Sequence, residues 1–196
     1  PPPMNELSLQ GRTIAVPETR ALDVFASMLE RRGAIALRCP LVAIRDAPDP
    51  GPVLDWLQHF NAGECDDLIL LTGEGLRRLL DAIDRHLPDQ RALFLERLGT
   101  TRSIVRGPKP GRVLRELGLK PDIVAAAPTT DGVIETLAGL ELQGRCVGVQ
   151  LYGTEANPRL IDAVVAAGAR PLPVAPYVYA DAADDAEVMA MVRRMA

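Results

Sequence analysis

Short apolar runs alternate with stretches of three-to-four-residue apolar spacing along most of this chain. Thr13–Val16, Ile35–Cys39, Asp67–Leu71, Arg102–Val105, Ile123–Ala126, Cys146–Leu151 and Arg170–Val174 have the length and composition of strands. Leu22–Arg32, Val53–Asn61, Leu76 to about His86, Arg91–Leu98 and Asn157–Ala167 carry helical spacing, as do the residues after Pro110 and after Thr130. In the first helix Leu22, Phe25 and Leu29 are expected inward, with Gly33 as its C-terminal cap. In the helix after Pro110, Val113, Leu114 and Leu117 share a face and Gly118 closes it. Strands alternating with helices in this way predict an α/β fold: a doubly wound, largely parallel sheet with helices on both faces.

Two segments break the rhythm. Ile44–Pro52 is rich in proline and aspartate and reads as a linker or slender extended connection. Pro173–Asp181 is a second proline-bounded connector, and one helix, Ala183–Met195, follows it. The middle of the chain therefore holds a full doubly wound sheet, whereas the first strand–helix–strand unit is too small to be stable by itself.

The turns after the strands are where the chemistry is expected, because ligands of parallel sheets bind at the carboxyl ends of strands. These turns are Pro17-Glu18-Thr19-Arg20, Thr72-Gly73-Glu74-Gly75, Arg106-Gly107-Pro108-Lys109 and Tyr152-Gly153-Thr154-Glu155, with Thr129-Thr130 at a further helix start. Helix N-termini offer backbone N–H groups to anions, glycine lets a ligand approach the backbone, and Arg20, Arg106 and Lys109 add charge for carboxylates. Neither G-x-G-x-x-G nor a Walker loop is present, so phosphate-cradling nucleotide chemistry has little support. No G-x-S-x-G elbow surrounds Ser27 or Ser103, which argues against a serine hydrolase. His59 and His86 lack a carboxylate partner in the pattern, and Asp66-Asp67 reads as a solvated strand start rather than a metal site. Arg31-Arg32 and Arg77-Arg78 read as exposed helix faces. Tyr177 and Tyr179 stand out in the second connector, where a tyrosine either packs on a domain edge or hangs its hydroxyl over a cleft.

Composition narrows the function classes. A net charge of −4 and 4% aromatic residues argue against a nucleic-acid surface. No apolar run has the length of a membrane span, and the first residues carry no secretory signal pattern. Cys39, Cys65 and Cys146 are widely spaced and form no C-x-x-C, so no metal or disulfide framework is expected, and a reducing cytoplasm fits.

The order of the motifs resembles one family. An early strand ending in Thr19-Arg20 is followed by L-T-G-E-G-L-R from Leu71 and by R-G-P-K-P-G-R-V-L-R-E-L-G-L-K-P-D from Arg106. Then come A-P-T-T-D-G-V from Ala127, V-Q-L-Y-G from Val149 and P-V-A-P-Y from Pro173. From about Gly11 to its end the chain is similar in this respect to uroporphyrinogen-III synthases, which cyclise the linear tetrapyrrole hydroxymethylbilane. The resemblance implies two flavodoxin-like domains joined by a two-stranded connector. Residues 11–43 would open the first domain, 44–175 would form the complete second, and 176–196 would be the connector and the return into the first. About three more strand–helix units follow in the family, so the chain is expected to stop short of a complete first domain. The implied reaction inverts the last pyrrole ring through a spiro intermediate, loses water and needs no cofactor. Tyr177 matches the connector tyrosine thought to assist departure of the hydroxyl, with Tyr179 as the fallback. Arg20, Thr72, Gly73, Arg106, Gly107, Lys109, Thr129, Thr130, Tyr152 and Gly153 would hold the substrate carboxylates. Two departures stand out: T-G-E-G replaces the commoner T-S-P, and Pro110 stands where many members have threonine. The implied protein is a monomer, with transient contact to the preceding pathway enzyme, no nucleic acid and no membrane. A non-catalytic tetrapyrrole- or metabolite-binding module and a flavodoxin-like nucleotide domain are the alternatives.

Overall fold

The first strand–helix–strand run forms as its apolar spacing directs. In the computed structural model, which describes residues 8–17, 21–153, 156–181 and 185–195, β1 (Thr13–Val16) pairs in parallel with β2 (Ile35–Arg38). Between them lies α1 (Leu22–Glu30), and Gly33 turns the chain back with a φ of 88°. Phe25 departs from its expected inward position: it is 46% exposed, and Ala26 is the buried residue of the helix. A two-stranded sheet presents too narrow an apolar face to cover a full helix stripe.

The expected linker is partly strand. Its first residues belong to β3 (Val42–Asp46), because an extended segment needs partners for its backbone groups, and these come from a strand far along the chain. Next come α2 (Gly51–Asn61), β4 (Asp67–Leu70), α3 (Gly73–His86), a single 3-10 turn at Pro88–Gln90, α4 (Arg91–Thr100) and β5 (Arg102–Val105). The series continues through α5 (Pro108–Glu116), β6 (Ile123–Val124), α6 (Thr130–Ala138), β7 (Cys146–Gln150), α7 (Pro158–Ala166) and β8 (Arg170–Val174). It ends with β9 (Tyr177–Asp181), the partner of β3, and α8 (Asp185–Met195). The chain divides into two compact units, Pro1–Arg45 with Tyr179–Ala196, and Asp46–Val178. Among the described residues no helix is long and apolar enough to cross a membrane.

The Asp46–Val178 unit is a doubly wound parallel sheet in the order β6-β5-β4-β7-β8. Its winding starts at β4, proceeds outward through β5 and β6, then reverses to β7 and β8. The reversal therefore falls between β4 and β7; flavodoxin itself runs second, first, third, fourth, fifth. Strand alternation feeds two cores. Leu68 and Leu70 face a layer with Trp56, Phe60, Leu79, Phe94 and Val113, while Ile69 and Leu71 face one with Val133, Leu137, Leu160 and Val164. Phe60 stacks on Trp56 at 5.1 Å and meets Phe94 at 5.4 Å, and the Trp56 indole N–H donates to the Leu172 carbonyl at 2.9 Å.

Three polar expectations change. Asp67 is not solvated but fully buried at the start of β4, with the Arg102 and Arg145 guanidinium groups on its two oxygens, the latter at 2.6 Å. Each arginine opens or precedes a strand flanking β4, so parallel register gathers them round one carboxylate. Arg78 is mostly buried rather than exposed, since its side chain lies between Glu74 at 2.8 Å and Asp46 at 2.6 Å. His59 does have a carboxylate partner, Glu64 at 2.7 Å, brought back by the turn after α2.

Candidate functional site

The site is built from the chain segments that leave the carboxyl edge of the sheet. After β4, Thr72 closes α3 from outside: it is extended, and its hydroxyl accepts the Gly75 N–H at 2.9 Å. The helix thus begins at Gly73, three residues before the expected Leu76. Gly73 is buried against α5, where a Cβ would stand 2.9 Å from the Lys109 carbonyl oxygen. After β5, Pro108, Lys109 and Pro110 belong to the first turn of α5 rather than to the expected loop. Proline suits that turn because its missing N–H has no intrahelical partner there anyway. Gly107 faces Pro128, 3.3 Å from the position of a Cβ, and Lys109 is exposed. At α6, Thr129 is the N-cap, its hydroxyl accepting from Gly132 N at 3.0 Å, while Thr130 is the first helical residue.

Two pairs form across this edge. The Thr72 hydroxyl lies 3.2 Å from the Tyr177 hydroxyl, contributed from 105 residues away. Tyr177 is fully buried, and Thr72 is the member of the pair with exposed surface. The chain beside them is tied by the Gly153 N–H, which donates to the Tyr177 carbonyl at 3.2 Å. In the second pair the Arg106 guanidinium donates to the Tyr152 hydroxyl at 3.1 Å and lies 5.1 Å from the ring centroid. β5 and β7 are separated by β4, so Arg106 reaches across the end of the central strand, a span of about 10 Å at usual strand spacing. Tyr152 also lines a cleft of about 270 Å³ with Leu71, Thr130, Leu151, Asn157, Pro158 and Arg159. Leu71 and Leu151 follow β4 and β7, which puts this cleft at the sheet reversal, the usual ligand position in such sheets.

The structure therefore brings Thr72 to Tyr177, Arg106 to Tyr152, and Thr130 to Tyr152 through the cleft. Gly73, Gly107 and Thr129 shape the backbone. Arg20 lies outside the described residues, and Tyr179, the fallback tyrosine, is 47% exposed on β9. Three residues escaped the sequence reading. Asn157 and Arg159 line the cleft, and Arg159 pairs with Asp131 at 2.6 Å. Gln150 is fully buried at the end of β7, its amide oxygen accepting the Thr72 N–H at 3.0 Å. Its sequence signals were a polar residue inside the apolar run C-V-G-V-Q-L and its place in V-Q-L-Y-G, neither of which points to its partner Thr72.

Comparison with known proteins places this architecture. The family model described as uroporphyrinogen-III synthase HemD matches residues 23–195. The chain is 30% identical over 170 residues to the uncharacterized protein YjjA of Bacillus subtilis (strain 168), covering 86% of this chain and 61% of that protein. It thus spans about three fifths of that curated relative's length. A crystal structure of a mutant uroporphyrinogen III synthase from the extremely thermophilic bacterium Thermus thermophilus is similar with a TM-score of 0.72 at 26% identity, covering 94% of this chain and 70% of that one. The wild-type enzyme of the same bacterium in another crystal form gives a TM-score of 0.60 at 27% identity, with 93% and 67% covered.

Proposed function

This chain belongs to the uroporphyrinogen-III synthase family, and from that membership we propose that it closes hydroxymethylbilane into uroporphyrinogen III. The last pyrrole ring is inverted and one water is released. The observation that carries the reading is the Thr72–Tyr177 hydroxyl pair, set at the same strand edge as Arg106, Tyr152 and the reversal cleft.

The chemistry follows from what must move. The hydroxyl of the hydroxymethyl group leaves as water once it has accepted a proton, and the pyrrole nitrogen's electrons stabilise the carbon left behind. The substituted carbon of the last ring attacks it to give a spiro intermediate, which reopens by breaking that ring's original bond to its bridge carbon. The ring's unsubstituted α-carbon then bonds to the freed bridge carbon, closing the macrocycle with the ring inverted. The closing pyrrole carbon then loses a proton, so the proton taken up at the start is returned. These steps balance without a redox partner. Tyr177 is buried, so in this reading Thr72 presents its hydroxyl to the leaving group and Tyr177 backs it as proton partner. Arg106 and the N-termini of α6 and α7 hold acetate and propionate groups. Holding a flexible chain with its ends together supplies the remaining advantage as prepaid entropy.

Consumption of freshly generated hydroxymethylbilane tests this reading. A saturable rate well above spontaneous closure is expected. Tyr177→Phe keeps the ring and removes the hydroxyl, and is expected to lower turnover about tenfold with little change in KM; unchanged turnover removes Tyr177 from the mechanism. A second reading, a binding module that holds an anionic tetrapyrrole without turning it over, draws support from the complete burial of Tyr177. It predicts saturable binding with no rate above spontaneous closure.

A further inference from the structure

Gln150 ends a strand whose other side chains are apolar, and it is buried completely. A buried primary amide is costly unless its groups are paired. Here they are. The oxygen accepts the Thr72 backbone N–H at 3.0 Å, and the NH2 donates to the Leu151 carbonyl and lies 3.4 Å from the Thr72 hydroxyl oxygen. The Thr72 hydroxyl in turn accepts from Gly75 N and meets the Tyr177 hydroxyl. A second observation shows that the local backbone is fitted to this amide. A Cβ at Gly75 would lie 1.9 Å from the Gln150 amide nitrogen, so the absence of a side chain there makes room for it. The amide oxygen also takes the Thr72 N–H at the start of α3, a donor that an external anion would otherwise be offered.

We propose that Gln150 is a positioning residue for the cyclisation: it fixes the Thr72 backbone and, through Thr72, the hydroxyl pair with Tyr177. This rests on the reading of Thr72 and Tyr177 given above. In consequence, the Thr72 N–H is already taken and is not offered to a substrate carboxylate.

Two substitutions displace the amide by different routes. Gln150→Leu removes its polar groups at similar volume, and Gly75→Ala leaves Gln150 intact but drives it from its seat. Each is expected to lower kcat about tenfold with KM within about twofold of the parent. Neither is expected to lower kcat further in a Tyr177→Phe background, since all three changes disable one unit. Amide hydrogen exchange supplies a readout that needs no turnover. The Thr72 N–H is expected to exchange at least tenfold faster in Gln150→Leu, with Leu68–Leu70 of β4 unchanged. If Gln150→Leu does not fold, Gly75→Ala carries the same readouts. Parent-like exchange at Thr72, a change confined to KM, or a full tenfold loss on top of Tyr177→Phe overturns the proposal. Absence of turnover in the parent protein contradicts the synthase reading instead, and the exchange measurement still decides whether Gln150 positions Thr72.

Discussion

Thr72→Val is expected to cut hydroxymethylbilane turnover about 100-fold, the lower end of what a positioned proton donor contributes. Valine keeps the shape and extended preference of threonine and removes one oxygen. That oxygen has two duties. It caps α3 by accepting the Gly75 N–H, and it meets the Tyr177 hydroxyl. Loss of the cap costs roughly 1 kcal/mol of stability, which does not account for a 100-fold loss in a protein that remains folded. Thr72→Ser, which keeps the hydroxyl, is expected to recover most of the activity. Equal turnover in the valine and serine variants would remove the hydroxyl from the mechanism.

Phe60→Ala is expected to destabilise the Asp46–Val178 unit by roughly 3–5 kcal/mol. Phe60 is 1% exposed, stacked on Trp56 of its own helix and tilted against Phe94 of α4. Alanine removes the ring between them and leaves a void that rigid helix backbones cannot close. The indole stays anchored by its bond to the Leu172 carbonyl, which limits relaxation further. Urea unfolding followed by Trp56 fluorescence measures this, with a lower midpoint and an unchanged slope expected. Leu93→Ala on α4, where the side chain is 38% exposed, serves as the control and is expected to stay within about 0.5 kcal/mol of the parent.

Much of the architecture was legible because its signals are local. The strands from Asp67, Arg102, Cys146 and Arg170 announced themselves as apolar runs, and Thr129-Thr130 as a helix start, whereas Thr72 read as part of a turn and proves to be the cap of α3. The errors came where a distant partner decides. Phe25 has the right spacing to face inward, but periodicity does not reveal that the sheet beside it is, among the described residues, two-stranded. Asp67 reads as a solvated acid until parallel register brings Arg102 and Arg145 to it from 35 and 78 residues away. The candidate site divides in the same way. The turns at Thr72, Arg106 and Tyr152 were visible as strand ends, whereas the partners across the edge were not. Arg106 finds Tyr152 only because β5 and β7 flank the same strand. Gln150 is chosen by Thr72, 78 residues earlier, and by the open space at Gly75.

The isomer formed from hydroxymethylbilane decides whether this protein inverts the last pyrrole ring. Spontaneous closure joins the ends without inversion and yields the type I product, so type III porphyrin can arise only where a protein has turned the last ring. Oxidation of the product and chromatographic separation of the isomers is predicted to show type III in excess over type I, with the excess falling in Thr72→Val. Type I alone, at the rate of the protein-free reaction, would mean that the protein neither closes the macrocycle nor inverts the ring.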